Sequence, residues 1–143
     1  MPDTPEVILA FDYGARRIGV AVGQEITSSA SPLTAIANKT QTSVNSAIDD
    51  LIEEWRPARL IVGMPANADG TPATIGVAVT AFMAELEQFT LPVNSVDERY
   101  TSIEAEKMLK AKRQSGQHGR ISKEKIDSTA AVLIAERWLK KEF

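Results

Sequence analysis

Apolar residues recur along this chain in two periods, one typical of β-strands and one typical of α-helices. The first two apolar runs, residues 7–11 and 18–22, flank a short turn that contains Gly14. This arrangement predicts a β-hairpin. Residues 29–37 predict a third strand. Pro32 indicates that this strand lies at a sheet edge, because proline cannot donate a ladder hydrogen bond.

Helical periodicity and short apolar runs alternate over the rest of the chain. Helices are predicted at residues 42–56, 75–89, 101–113 and from 122 onward, and strands at 59–63 and 92–96. Trp55 and Trp138 occupy core positions of their helices, which indicates packing rather than base stacking. The order β-β-β-α-β-α-β-α-α predicts an α/β fold. We expect a five-stranded mixed sheet, three antiparallel strands and then βαβαβ, with helices on both faces.

Composition narrows the class of protein. A chain of 143 residues buries one core, so a single domain over residues 1–143 is expected. The absence of cysteine excludes disulfides, thiolate zinc sites and cysteine nucleophiles. No apolar run approaches the ~20 residues of a membrane span, and the acidic N-terminus is unlike a signal peptide. A cytoplasmic protein with no membrane partner is therefore expected.

The net charge of −3 conceals an asymmetry. Residues 1–100 contain 6 basic and 13 acidic residues, whereas residues 101–143 contain 10 basic and 6 acidic residues. A uniformly basic nucleic-acid binder is excluded. The basic C-terminal segment is either a phosphate-binding surface or an ordinary solvated one.

Asp12 directly follows the first apolar run, where a buried strand favours apolar residues. An ionised carboxylate is costly there unless a cation holds it. A turn aspartate that bonds only local backbone is the alternative. Asp97-Glu98 follow the fifth strand and Asp127 lies near the start of the last helix, which favours a shared site. Three carboxylates with almost no histidine indicate Mg²⁺ or Mn²⁺. A Ser-His-Asp triad is disfavoured because the single histidine, His118, lies in a glycine-containing loop.

Four segments together resemble a known family. They are Phe11-Asp12-Tyr13-Gly14 with Arg17-Ile18-Gly19-Val20-Ala21-Val22, Val62-Gly63-Met64-Pro65-Ala66-Asn67-Ala68-Asp69-Gly70-Thr71, Asp97-Glu98-Arg99-Tyr100-Thr101-Ser102 with Glu104-Ala105, and Asp127-Ser128-Thr129-Ala130-Ala131. In this order, over nearly the whole chain, they resemble the YqgF/RuvX family of bacterial pre-16S rRNA nucleases. Members are also described as Holliday junction resolvases and belong to the ribonuclease H-like superfamily.

The resemblance implies that Asp12, Glu98 and Asp127 are the catalytic and metal-binding acids. Phosphodiester cleavage develops charge on the attacking and leaving oxygens, and two hard cations about 3.5–4 Å apart stabilise it. Asp12 is expected to bridge both Mg²⁺ or Mn²⁺ ions, because a strand-end carboxylate is rigid. Glu98 is expected to bind one ion and Asp127 the other. Asp97 is interpreted as a capping or loop residue before the following helix.

Substrate contacts are expected from the glycine-rich and basic segments. The candidates are Arg17, Asn67, Arg99, Lys112, Arg113 and Arg120. Each has an alternative interpretation. Asn67 fits a plain turn equally well, Arg99 pairs with a carboxylate or contacts phosphate, and the C-terminal cations fit a solvated surface.

The resemblance implies a nuclease that processes the 5′ end of pre-16S rRNA, with RNA favoured over branched DNA and pre-ribosomal particles as partners. A Holliday junction resolvase, an actin-like or sugar-kinase-like ATPase, and a non-catalytic RNA-binding assembly factor are the alternatives. Symmetric junction cleavage needs a dimer, whereas the apolar positions of this chain are accounted for by one core. A monomer or weak dimer is therefore expected.

Overall fold

The computed structural model describes residues 6–65, 75–97 and 123–140, with side chains from Ser128 onward in the last segment. The strands are β1 (Val7–Tyr13), β2 (Arg17–Gln24), β3 (Ser29–Ala37), β4 (Arg59–Met64) and β5 (Val93–Asp97). The helices are α1 (Gln41–Trp55), α2 (Gly76–Leu86), which continues into a 3₁₀ turn (Glu87–Phe89), and α3 (Lys123–Leu139). The helix predicted at 101–113 lies outside the described residues.

The five strands form one mixed sheet in the order β3-β2-β1-β4-β5. The pairs β1–β2 and β2–β3 are antiparallel, whereas β1–β4 and β4–β5 are parallel. This topology confirms the predicted hairpin, the parallel crossovers and the edge position of the proline-containing strand. It also brings the carboxyl ends of β1, β4 and β5 to one edge of the sheet, which we call the carboxyl edge.

One face of the sheet packs against α1 and α2. Phe11 of β1, Val62 of β4, Ile48 of α1 and Phe82 of α2 belong to the same buried cluster. The rings of Phe11 and Phe82 meet edge to face, with centroids 5.8 Å apart. Residues of β1 that alternate with Phe11 must therefore face the opposite side of the sheet.

The opposite face packs against α3, and we call it the α3 face. Ile8 and Ala10 of β1 share a buried cluster there with Ile134 of α3. Small residues line the contact. A Cβ atom added at Gly23 would come within 2.8 Å of Ile8 Cγ1 and 3.4 Å of Leu139 Cδ1. The close approach of α3 to the sheet therefore depends on residues with little or no side chain. Helices on both faces confirm the expected architecture.

Both ends of α1 follow local rules. Thr40 and Ser43 form a reciprocal capping box at its start, with the Ser43 amide donating to Thr40 Oγ1 at 3.1 Å. The helix ends at Trp55, one residue before the predicted end. Arg56 takes a left-handed conformation with φ of 48°, and Pro57 follows it. Trp55 and Trp138 both pack against core clusters, as predicted.

Arg59 joins β4, β5 and α3 at the edge of the sheet opposite the carboxyl edge. Its guanidinium donates to both carboxylate oxygens of Glu6, at 3.0 and 3.1 Å, and to Asn94 Oδ1 at 3.2 Å. It also lies 5.4 Å from the centroid of the Trp138 ring. The half-buried guanidinium of Arg59 therefore interacts at once with a carboxylate, an amide oxygen and an aromatic ring.

We expect Arg59→Ala to lower the free energy of unfolding by about 1–3 kcal/mol, because charge-assisted hydrogen bonds and a cation–π contact are lost together. Urea denaturation followed by tryptophan fluorescence measures the change. Arg56→Ala, at an exposed position, is the matched control and should change stability by no more than about 0.5 kcal/mol. Equal stability of both variants would show that the Arg59 contacts contribute nothing.

Candidate active site at the carboxyl edge

Asp12 is the penultimate residue of β1 and is half-buried. Its neighbours Phe11 and Tyr13 both contact Phe82 on the α1–α2 side, with the Tyr13 ring 4.9 Å from the Phe82 ring. Strand alternation therefore directs the Asp12 side chain toward the α3 face. The carboxylate lies at the carboxyl edge of a central strand, which is the position that the sequence predicted.

Two glycines lie beside Asp12 on the neighbouring strands. Gly19 of β2 pairs directly with Asp12. Phe11 pairs with Val62 on the other side, so the next residue of β4, Gly63, is adjacent to Asp12 there. Both glycines are buried and lie on the α3 face. The carboxylate is therefore flanked on either side by positions without a side chain. Sequence reasoning missed this feature, although glycine inside an apolar strand is a signal of close approach.

Helix α3 lies across the strands of the sheet. Its C-terminal end lies near the beginning of β1, because a Cβ atom on Gly23, which pairs with Ile8, would contact Leu139. Ala131 packs against Ala21, which pairs with Ala10. The N-terminal half of α3 therefore lies over β3 and β2, and its C-terminal half lies over β1, β4 and β5.

A hydrogen bond supports this placement of α3. Ser128 is buried and its hydroxyl donates to the carbonyl oxygen of Leu33 at 2.7 Å. Leu33 pairs with Val20, which pairs in turn with Phe11. Ser128, the residue next to Asp127, is thus anchored to β3 at the level of Phe11 in β1.

Alternate residues of β5 face α3, as alternate residues of β1 do. Val96 is buried against α3, and Asn94 bonds Arg59 on that side. Asp97, the last residue of β5, is exposed and alternates with them. Arg137 of α3 donates to the Asp97 carbonyl oxygen at 3.2 Å. This bond ties the end of β5 to the helix that carries Asp127.

The turn between β1 and β2 is tightly constrained. A Cβ atom on Gly14 would come within 2.6 Å of the Arg17 carbonyl oxygen, so the turn requires glycine. Asn38, beyond the end of β3, donates from Nδ2 to the Gly14 carbonyl oxygen at 2.9 Å, and its amide donates to the Arg16 carbonyl oxygen at 2.8 Å. Arg17 is half-buried and lies on the same sheet face as Gly19. The sequence indicated Arg17 but not Asn38.

The remaining predicted site residues are Glu98, Asn67, Arg99, Lys112, Arg113 and Arg120, and they lie outside the described residues. Within residues 6–65, 75–97 and 128–140, no group of three metal-ligating side chains is present. The donor chemistry nevertheless fits a hard divalent cation, because Asp12 offers carboxylate oxygens beside two glycine positions. Of the three predicted acids, only Asp12 has a described side chain, and it lies at the carboxyl edge.

None of the helices in the described segments combines the length and apolar character needed to cross a bilayer.

Comparison with known proteins agrees with this arrangement. A family model described as "RuvX: Holliday junction resolvase" matches residues 6–141. A protein of Burkholderia lata, named "Putative pre-16S rRNA nuclease", is 44% identical over 133 residues, 92% of this chain and 87% of the relative. Proteins of the same name from Dechloromonas aromatica and Azotobacter vinelandii are 42% and 40% identical, over 92% and 94% of this chain and 88% and 94% of the relatives.

Solved structures show the same fold at low sequence identity. Thermus thermophilus RuvC in complex with a Holliday junction substrate has a TM-score of 0.57 at 15% identity, covering 95% of this chain and 94% of that one. The yeast mitochondrial resolvase Ydc2 has a TM-score of 0.52 at 11% identity, covering 94% and 78%. These likenesses confirm the ribonuclease H-like fold. Since the family model and the curated relatives each span nearly the whole chain, the chain belongs to the RuvX family.

Proposed function

We propose that this protein is a metal-dependent nuclease of the cytoplasm that processes the 5′ end of pre-16S rRNA. The relatives and the family model agree on an enzyme that hydrolyses phosphodiester bonds. The observation that carries the proposal for this chain is the half-buried carboxylate of Asp12, which lies between two glycine positions and faces the helix that bears Asp127.

Asp12, Glu98 and Asp127 would hold Mg²⁺ or Mn²⁺ in a two-metal arrangement. Bound ions of this kind stabilise charge on the attacking and leaving oxygens and deliver hydroxide. Asp12 would hold both ions, because its backbone is fixed by its pairing with Gly19 in the β1–β2 ladder. Glu98 would take one ion, since Asn94 and Val96 set the strand phase that favours the α3 face two residues later.

The protein's own residues would orient the nucleic acid. Arg17 lies on the α3 face, two residues before Gly19, and would contact the backbone near the scissile phosphate. Asn67, Arg99, Lys112, Arg113 and Arg120 are proposed to add further contacts to the nucleic acid. We propose RNA as the substrate, presented on pre-ribosomal particles, and a monomer or weak dimer as the active species.

Junction resolution is the second candidate, and the description of the matching family model favours it. The two candidates differ in geometry. A resolvase makes two symmetric cuts and needs two copies of the site, whereas trimming of an RNA end needs one.

A cleavage panel tests the proposal. We expect Mn²⁺- or Mg²⁺-dependent cleavage of a 5′-extended 16S rRNA precursor fragment, loss of cleavage with chelator, and no paired incisions on a four-way DNA junction. Sedimentation at micromolar concentration reports the oligomeric state. Symmetric junction cuts by a stable dimer would replace this proposal with the resolvase, and metal-independent or absent cleavage of all substrates would overturn both.

A further inference from the structure

Three cations of the first half of the chain lie at one corner of the carboxyl edge. They are Arg16, in the turn between β1 and β2, Arg17, the first residue of β2, and Lys39, two residues beyond β3. Residues 1–100 contain only 6 basic residues against 13 acidic ones, so half of these cations occur at this corner. We call this set the cationic corner. Such clustering in an otherwise acidic region points to a polyanionic ligand.

The corner is held together by backbone pairing and by Asn38. Arg17 pairs with Ala37 across the β2–β3 ladder. The amide of Asn38 donates to the Arg16 carbonyl oxygen at 2.8 Å, and its side chain donates to the Gly14 carbonyl oxygen at 2.9 Å. Lys39 follows Asn38 directly, so it is fixed beside the β1–β2 turn although it is 23 residues from Arg16 in sequence.

The exposed members of the corner are available to a ligand. Arg16 and Lys39 are both exposed, and within the described residues neither forms an ion pair with a carboxylate. Helix α1 begins directly after Lys39 and Thr40, and its first turn contains no acidic residue. The acidic residues of this helix are Asp49, Asp50, Glu53 and Glu54, in its second half. The first turn of α1 therefore places no carboxylate directly beside Lys39, whereas Asp50 and Glu54 line the same groove farther along the helix.

The cationic corner is connected to the candidate site through β2, the strand next to β1. Asp12 pairs with Gly19, and Arg17 lies two residues from Gly19 on the same face. Arg16 precedes Arg17 in the β1–β2 turn, and Lys39 follows Asn38, which bonds that turn. A nucleic-acid strand that passes Asp12 would meet these cations next.

We propose that Arg16 and Lys39 bind backbone phosphates of an RNA strand flanking the cleaved bond, with Asn38 holding the turn that presents them. This inference rests on the proposed nuclease function and adds a second binding patch to it. Contacts of this kind are independent of base sequence. Their affinity falls as the salt concentration rises, because the release of counterions on binding then becomes less favourable.

The experiment compares two double variants, R16Q/K39Q at the corner and R56Q/K140Q at exposed positions near the opposite edge. Binding of a fluorescein-labelled 20-nucleotide single-stranded RNA is measured with EDTA at several salt concentrations. Loss of two phosphate contacts should reduce the slope of log K against log salt by about 1.4 in R16Q/K39Q, and R56Q/K140Q should match the wild type. With Mn²⁺ present, the loss should raise KM more than it lowers kcat.

Equal slopes for the wild type and R16Q/K39Q would overturn the inference, and so would equal reductions in both double variants. Failure of the proposed function has a different signature. A wild type that binds RNA with a corner-dependent slope but cleaves no nucleic acid would retain the corner and overturn the nuclease. A wild type without salt-dependent RNA binding would overturn both.

Discussion

Asp12→Asn is expected to abolish cleavage while the protein stays folded. The substitution removes the charge that would bind both cations and changes the side-chain volume little. The loss should be on the order of 10²–10³-fold or more, as for removal of one electrostatic element from other active sites. Because the side chain is half-buried at a strand end, the free energy of unfolding should change by less than about 1 kcal/mol.

Initial rates with Mn²⁺ measure cleavage, and urea denaturation measures the free energy of unfolding. Titration with Mn²⁺ by calorimetry measures the metal affinity. Asp49→Asn is the matched control, since Asp49 is exposed on α1 and should retain wild-type cleavage and metal affinity. If Asp12→Asn kept activity within about tenfold of the wild type, Asp12 would not be a metal ligand and the turn interpretation would be correct.

Glu98→Gln and Asp97→Asn are expected to differ by orders of magnitude in activity, although the two acids are adjacent. Val96 faces α3 and Asp97 is exposed, so strand alternation predicts that Glu98 shares the side of Asp12. Glu98→Gln should therefore lose cleavage nearly as completely as Asp12→Asn. Asp97→Asn should retain most activity, because the bond from Arg137 goes to the backbone carbonyl of Asp97.

Steady-state kinetics with Mn²⁺ distinguish the two variants, and circular dichroism confirms that both fold. A larger loss of activity in Asp97→Asn than in Glu98→Gln would mean that the strand alternation of Asn94 and Val96 does not continue to residue 98. Equal, small losses in both variants would remove this strand end from the chemistry and leave Asp12 and Asp127 alone at the site.

Local physical rules determined the elements from the sequence. The hairpin, the edge strand with Pro32 and the limits of α1 follow from hydrophobic period, proline chemistry and capping. The same patterning placed Asp12 at a strand end. The family follows from four spaced motifs, and the match over residues 6–141 confirms it. The roles of Asp12, Glu98 and Asp127 remain predictions that the variants above test.

Only the tertiary structure decided which residues are neighbours across elements. Gly19 and Gly63 flank Asp12 because register, which no local preference sets, aligns three strands. The sequence likewise contains no signal that Asn38 bonds a turn 24 residues away, or that Lys39 joins Arg16. The close approach of α3 to the sheet depends on small residues at their contact. Periodicity marks which face of an element is buried, whereas packing selects its partner and its direction.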